Sequence, residues 1–231
     1  MNELELPTPP LQAVTFDLDG LMFNTEELYQ EVGSAILSRR GKQITGELLN
    51  EMMGRKSHVA LSVMIDWHDL DDTPEQLAAE SAEIFGGLLP RRLAPMPGLL
   101  ELLSSLEAAH IPKGIATSSG RSFVDLVLGM FNLAPRFKFI LTSEDIEHGK
   151  PAPDVYLLAA QKHGVEPAAM MILEDSQIGT QAAVASGAYA VAVPHGQSKH
   201  HHFPGARFEA HSLADERIYH ALRLPTPGGS C

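Results

Sequence analysis

Ala13-Val14-Thr15-Phe16-Asp17-Leu18-Asp19-Gly20 is an apolar run that ends in two carboxylates and a glycine. Side chains alternate along a strand, so positions i and i+2 project the same way and Asp17 and Asp19 crowd one point where the strand stops. Both can stay ionised only if a cation or a shared proton relieves their repulsion, which points to a hard-metal site or an acid/base couple. The ordinary alternative is a solvated Asp-x-Asp-Gly turn.

Other strand ends carry polar groups in the same way. The run 111–116 leads into Thr117, Ser118 and Ser119, and Gly120 opens a helical pattern at Phe123, Val124, Val127 and Leu128. A hydroxyl with free backbone N–H groups at such a turn can hold a phosphate, although such turns more often only cap a helix. Residues 169–176 are a buried-strand run closed by Glu174 and Asp175, and Lys150 lies in Gly-Lys-Pro-Ala-Pro-Asp just before a helix expected near 153–163. A parallel α/β sheet ends all its strands on one edge, where ligands bind. The signals therefore converge: carboxylates to hold Mg²⁺, and Thr, Ser and Lys to hold phosphoryl oxygens.

Strands are expected near 12–17, 111–116, 138–142, 169–173 and 188–193, with helices near 98–109, 121–131, 153–163 and 177–186. This alternation predicts an α/β fold with a doubly wound parallel sheet. Between Gly20 and residue 111 the pattern is helical. Asn24 or Thr25 is expected to cap a first helix with Leu28, Val32, Ala35 and Ile36 on one face. Thr45–Met53 forms a second, ending at Gly54, and Ser57 is expected to cap a third. Thr73-Pro74-Glu75-Gln76 carries an N-cap, a proline at the first position and a capping-box Gln for a fourth that ends near Leu89-Pro90. Four such helices make a small bundle.

At 231 residues the chain can bury a proper core. The net charge of −12 argues against nucleic acid and anionic membranes as partners. No stretch has the length of a membrane span, and Met-Asn-Glu-Leu-Glu-Leu lacks the features of a signal peptide. The single cysteine, Cys231, excludes a disulfide within the chain, which fits a cytoplasmic location. The final Pro-Thr-Pro-Gly-Gly-Ser-Cys is expected to fray. His195 and His200–His202 suggest a transition-metal tract, but a Gly/Pro-bounded loop after the last strand is a poor place for one.

Asp17-Leu18-Asp19-Gly20, Thr117-Ser118, Lys150 and Glu174-Asp175, in this order, resemble the four motifs of the haloacid dehalogenase (HAD) superfamily over roughly residues 11–193. The stretches 19–26 and 149–154 are similar to the branch containing β-phosphoglucomutase and the small sugar-phosphate phosphatases. The resemblance implies a Rossmann-like core of residues 1–20 and 95–231, with a helical cap of residues 21–94 hinged near 20–24 and 90–97. It makes Asp17 the nucleophile and Asp19 the general acid and base, with Thr117 and Lys150 completing the catalytic set. Mg²⁺ would be held by Asp17, Asp19 through its carbonyl, Asp175, and Glu174 directly or through water. Thr25, Gly54, Arg55, Lys56, Thr117, Ser118, Ser119 and Lys150 would bind substrate.

Asp19 excludes the dehalogenase and phosphonoacetaldehyde hydrolase branches, which lack an acid there. Three departures stand out. Asn24 replaces the usual Asp, Tyr29 stands where the mutase has a His, and Ser57 stands where it has a cap-loop Arg. The last two favour a phosphatase acting on a small phosphorylated metabolite, a sugar phosphate by neighbourhood, over a phosphohexomutase. Gly54-Arg55-Lys56-Ser57-His58 nevertheless offers cations for a second phosphate. A phosphorylated signalling receiver would have no use for the inserted bundle, and a degenerate scaffold would not keep every motif. A monomer is expected.

Overall fold

A computed structural model describes residues 5–226 of the chain. The expectations placed on Met1–Leu4, and on the tail from Pro227 to Cys231, lie outside these residues.

Five strands, β1 (Ala13–Phe16), β2 (Lys113–Ala116), β3 (Phe139–Leu141), β4 (Met170–Glu174) and β5 (Tyr189–Ala192), form one parallel sheet in the order β3-β2-β1-β4-β5. The chain runs outward from β1 through β2 to β3, then returns to the other side of β1 for β4 and β5. The connection direction therefore reverses between β1 and β4, the place where an open α/β sheet leaves a crevice at its carboxyl edge. Register makes this concrete: Phe16 is paired with Leu173, and the Asp17 N–H donates to the Leu173 carbonyl at 3.0 Å, which sets Asp17 beside Glu174.

Alternating strand residues feed two cores. Val14, Phe16, Ile115, Met171, Leu173 and Val191 pack against α5 (Leu99–Ala108), α6 (Arg121–Met130) and α9 (Glu216–Ala221). Ala13, Ala116, Met170, Ile172 and Ala190 pack on the other face against α7 (Asp154–His163) and α8 (Gln177–Ala185). Helices on both faces explain why the strands read as continuous apolar runs and not as an alternating pattern. The strand β2 begins at Lys113, two residues later than expected, after Pro112, which has no N–H to give a ladder. The short α9 carried no periodicity from which to expect it; Asp215 caps it by accepting the Arg217 N–H. Ahead of it, residues 207–210 run alongside β5, with the Arg207 and Ala210 N–H groups donating to Ala190 and Ala192 carbonyls.

Between β1 and α5 stand α1 (Thr25–Ser38), α2 (Gly46–Met52), α3 (Ser57–His68) and α4 (Pro74–Arg92), packed on one another and continuous with the first core. Thr73 and Gln76 form the expected capping box at the start of α4. Three local expectations need correction. Ser57 is the first residue of α3 and does not cap it; Lys56 holds the cap position without a side-chain bond. Helix α4 passes through Pro90 to Arg92, and the Leu93 N–H still reaches the Leu89 carbonyl at 3.1 Å. Asn24 precedes α1 but its side chain turns away: Oδ1 accepts the Ala94 N–H at 2.8 Å and Nδ2 donates to the Arg92 carbonyl at 3.1 Å. Asn24 thus clamps the outgoing and returning connections together. No helix among the described residues is long and apolar enough to cross a membrane.

Candidate active site

The segment after β1 turns sharply. Gly20 has φ +74°, and a Cβ there would run into the Asp175 carboxylate and Glu26. The Gly20 N–H donates to the Thr25 hydroxyl at 3.0 Å and Met22 N–H to the Leu18 carbonyl at 3.0 Å, while Leu18, Leu21, Met22 and Phe23 are buried. A loop fixed in this way holds Asp17 and Asp19 at the sheet edge without relying on their own charges.

Lys150 lies under them, almost fully buried. Its Nζ donates to Asp17 Oδ1 at 2.5 Å, Glu174 Oε1 at 2.6 Å and the Ala116 carbonyl at 3.2 Å. Burial disfavours its charge, but Asp17 and Glu174 outweigh that and hold the ammonium well above the ordinary lysine value. Burial likewise pushes Asp17 well above the ordinary carboxyl range, against the pull of Lys150, with Glu174 and Asp19 adding to the rise. Glu174 is saturated: Lys150 and Tyr156 donate to Oε1, and the Ser176 N–H and hydroxyl to Oε2. A carboxylate offers about four acceptor sites, so Glu174 is a strut between Lys150 and the start of α8. That start comes close because residue 179 is Gly, where a Cβ would overlap the Glu174 carboxylate.

Asp19 Oδ2 accepts the Ser119 hydroxyl at 2.6 Å and the Thr117 hydroxyl at 3.2 Å, while Oδ1 is buried without a partner. Burial raises its pKa, opposed by these hydroxyls. Asp175 Oδ2 is also buried without a partner, and burial with Glu26, Glu174 and Asp17 nearby pushes Asp175 well up. Asp17, Glu174 and Asp175 each bring an oxygen within 4.8 Å of the others, the one such cluster of three potential ligands among the described residues. Five carboxyl groups, those of Asp17, Asp19, Glu26, Glu174 and Asp175, cluster at this edge, and the single ammonium among them, that of Lys150, touches only Asp17 and Glu174. Such a surplus, with Asp175 Oδ2 lacking a donor, fits a divalent cation bound by oxygen.

Glu26 is the site residue that sequence reasoning missed. Its position on the first turn of α1 accounts for it as a helix-dipole charge, yet it lines the cavity, where burial and then Asp19 and Glu174 push its carboxyl up to about 8. Tyr156, from α7, was also not anticipated. No local signal marks either one.

The remaining expected residues fall into two groups. Gly54, Arg55, Thr117, Ser118 and Ser119 line a cavity of about 370 Å³ that reaches from Asp17 and Asp19 into the helical insertion. Thr25 and Lys56 do not line it. Thr25 is buried behind the Gly20 turn, and Lys56 Nζ donates to the Ile146 and Glu147 carbonyls, both at 3.2 Å. Arg55 is drawn back by Glu51, whose carbonyl accepts Nε at 2.5 Å. Ser118 gives its hydroxyl to the Gly54 carbonyl at 2.9 Å, so the insertion is fastened down on both sides of Arg55. Of the histidine tract, His201 accepts the Gln177 N–H at the start of α8.

Comparison with known proteins accords with this geometry. The family model described as haloacid dehalogenase-like hydrolase matches residues 14–193. A (DL)-glycerol-3-phosphatase of Arabidopsis thaliana is 33% identical over 189 residues, 78% of this chain and 78% of that protein. A fructose-1-phosphate phosphatase of Escherichia coli is 29% identical over 178 residues, 77% of this chain and 94% of that protein. The fold is shared with the crystal structure of β-phosphoglucomutase from Clostridium difficile, with a TM-score of 0.78 at 19% identity over 92% of this chain and 97% of that one.

Proposed function

The chain belongs to the haloacid dehalogenase-like hydrolase family, and on that premise we propose that it is a Mg²⁺-dependent phosphatase of small phosphorylated metabolites that works through an aspartyl-phosphate on Asp17. The observation that carries this reading is the clustering of five carboxyl groups with one buried ammonium among them, at the reversal point of the sheet and beneath a cavity of about 370 Å³. Asp17 and Asp175, with the Asp19 carbonyl, would hold Mg²⁺, which when bound offsets the charge that five carboxyls present to a dianionic substrate.

The chain's own residues supply the rest. Lys150 grips Asp17 through Oδ1 and fixes the carboxylate that attacks phosphorus. The bond formed is from an Asp17 oxygen to phosphorus, and the bond broken is from phosphorus to the leaving oxygen. Thr117 and Ser119 hold Asp19 through Oδ2, so Oδ1 is the atom that carries a proton to the departing oxygen. Raised by burial, Asp19 keeps that proton at neutral pH better than an exposed aspartate would. In the second half-reaction Asp19 takes a proton from water, which attacks the phosphoryl group and frees Asp17. We read α1–α4 as the cap that excludes bulk water from these steps. Thr117, Ser118 and Ser119 face the cavity where phosphoryl oxygens would lie.

A mutase is the second reading, favoured by Arg55 in the cavity wall. One experiment separates the two. Purified protein with Mg²⁺ is given p-nitrophenyl phosphate, fructose 1-phosphate and glucose 1-phosphate, the last with and without a bisphosphate primer. Release of inorganic phosphate that stops with chelator supports the phosphatase. Primer-dependent isomerisation of glucose 1-phosphate with little release would replace it with the mutase.

A further inference from the structure

The cavity above Asp17 and Asp19 is walled by carbon on its cap side. Ile36 of α1, Leu61 and Met64 of α3, and Phe85 of α4 face it, and Phe123 of α6 closes it from the core. Among the side chains that the helical insertion contributes, only those of Glu26, Tyr29, Arg55, Ser57 and Ser81 have polar atoms. Two of these are already engaged. Arg55 is held by Glu51, and the Tyr29 hydroxyl lies 3.4 Å from the Ser119 hydroxyl. Aromatic rings join cap to core: Phe123 lies 5.6 Å from Phe85 and 6.0 Å from Tyr29, and Tyr29 and Phe85 meet edge to face at 4.9 Å.

A bound sugar would bring several hydroxyl groups into this space. Each hydroxyl desolvated without a partner weakens binding, and the cap side offers few partners, since the other polar side chains of the lining, among them Ser118, Ser122, Glu144 and Ser176, lie on the core side. An alcohol with an apolar body loses little on leaving water and gains contact with the rings and methionines. A cavity of about 370 Å³ lies within the size range of small-molecule sites, which are mostly apolar with a few placed polar groups.

We propose that the leaving group of the natural substrate is an alcohol with a branched or cyclic apolar body, so that the enzyme selects apolar phosphomonoesters over sugar phosphates. This rests on the phosphatase reading above and narrows its substrate class. The phosphoryl group lies at Asp17, with the ester oxygen beside Asp19, the acid of the phosphatase reading. The apolar body fills the space bounded by Ile36, Leu61, Met64 and Phe85.

The test compares esters of primary alcohols, so that the leaving groups are of one kind: benzyl phosphate and cyclohexylmethyl phosphate against fructose 1-phosphate and glucose 6-phosphate. With the Mg²⁺-loaded wild-type protein, kcat/KM should be at least about tenfold higher for the apolar pair, the scale on which an apolar pocket discriminates, with most of the difference in KM. Met52→Gln, at a half-buried position lining the same space, and Met64→Gln should each reduce the ratio of apolar to sugar kcat/KM several-fold. Titration of Mg²⁺-loaded Asp17→Asn protein should show the same order of affinities without turnover. Equal or better turnover of the sugar esters would overturn this inference and leave the phosphatase standing. No phosphate release from any of the four esters or from p-nitrophenyl phosphate would overturn both.

Discussion

At the scale of single residues, the sheet edge and a histidine far from it show how burial sets charge. His163 ends α7 against the sheet, with Nε2 3.2 Å from the Thr15 hydroxyl and its ring 4.6 Å from Phe139. The Thr15 hydroxyl donates to Met170 Sδ at 3.1 Å, which leaves its oxygen to accept from Nε2–H. That arrangement suits a neutral imidazole, and burial, then the Lys138 charge, lowers its pKa from 6.5 to about 4. The unfolded chain binds this proton below about pH 6.5 and the folded chain does not until about pH 4. Stability is therefore lost as pH falls through that window, by up to about 3 kcal/mol. Urea unfolding of His163→Gln between pH 7 and 4 should show a flatter decline than wild type; parallel declines would contradict the assignment. Asp17, Asp19, Thr117 and Asp175 were legible because they stand at strand ends on one edge of the sheet, and Lys150 because its Gly-Lys-Pro-Ala-Pro-Asp stretch resembles a family motif. Glu26 was not, since its burial depends on how α1 lies over Gly20, a fact of tertiary packing with no local pattern.

Among the elements, α4 was the most legible because its start is written in four adjacent residues. The Thr73 hydroxyl accepts the Gln76 N–H at 3.3 Å, and the Gln76 side chain accepts the Thr73 N–H at 2.7 Å. Thr73→Ala should cost about 1 kcal/mol of stability, seen as a lower thermal midpoint with unchanged turnover, because neither residue approaches the cavity. Asn24 was misread as a local cap, because its partners, Arg92 and Ala94, are distant in the sequence and only the fold joins them. Since this clamp ties the two connections between core and insertion, Asn24→Ala should speed hydrogen exchange at the Ala94 amide several-fold, up to about tenfold, the equivalent of one lost hydrogen bond. Unchanged exchange there would show that packing alone holds the two connections together. Helix α9 was missed for the opposite reason: six residues span too few turns to display an apolar period.

For the whole molecule, sheet order and site are one fact. Because β1 and β4 are neighbours across the reversal, Asp17 and Asp175 meet although they are far apart in the chain, and Lys150 reaches Asp17 and Glu174 from the connection after β3. The α/β alternation made the sheet predictable, whereas the position and lining of the cavity follow from how four short helices lie on its edge, which no spacing rule specifies. The central claim is that Asp17 itself becomes phosphorylated. The direct measurement is mass spectrometry of peptides from protein quenched in acid during turnover of p-nitrophenyl phosphate with Mg²⁺. The account predicts an acid-stable, base-labile phosphoryl group on the peptide bearing Asp17, absent with chelator and absent in Asp17→Asn, whose phosphate release falls by at least about a thousandfold. A phosphoryl group on any other residue, or Asp17→Asn turnover near that of wild type, would contradict it.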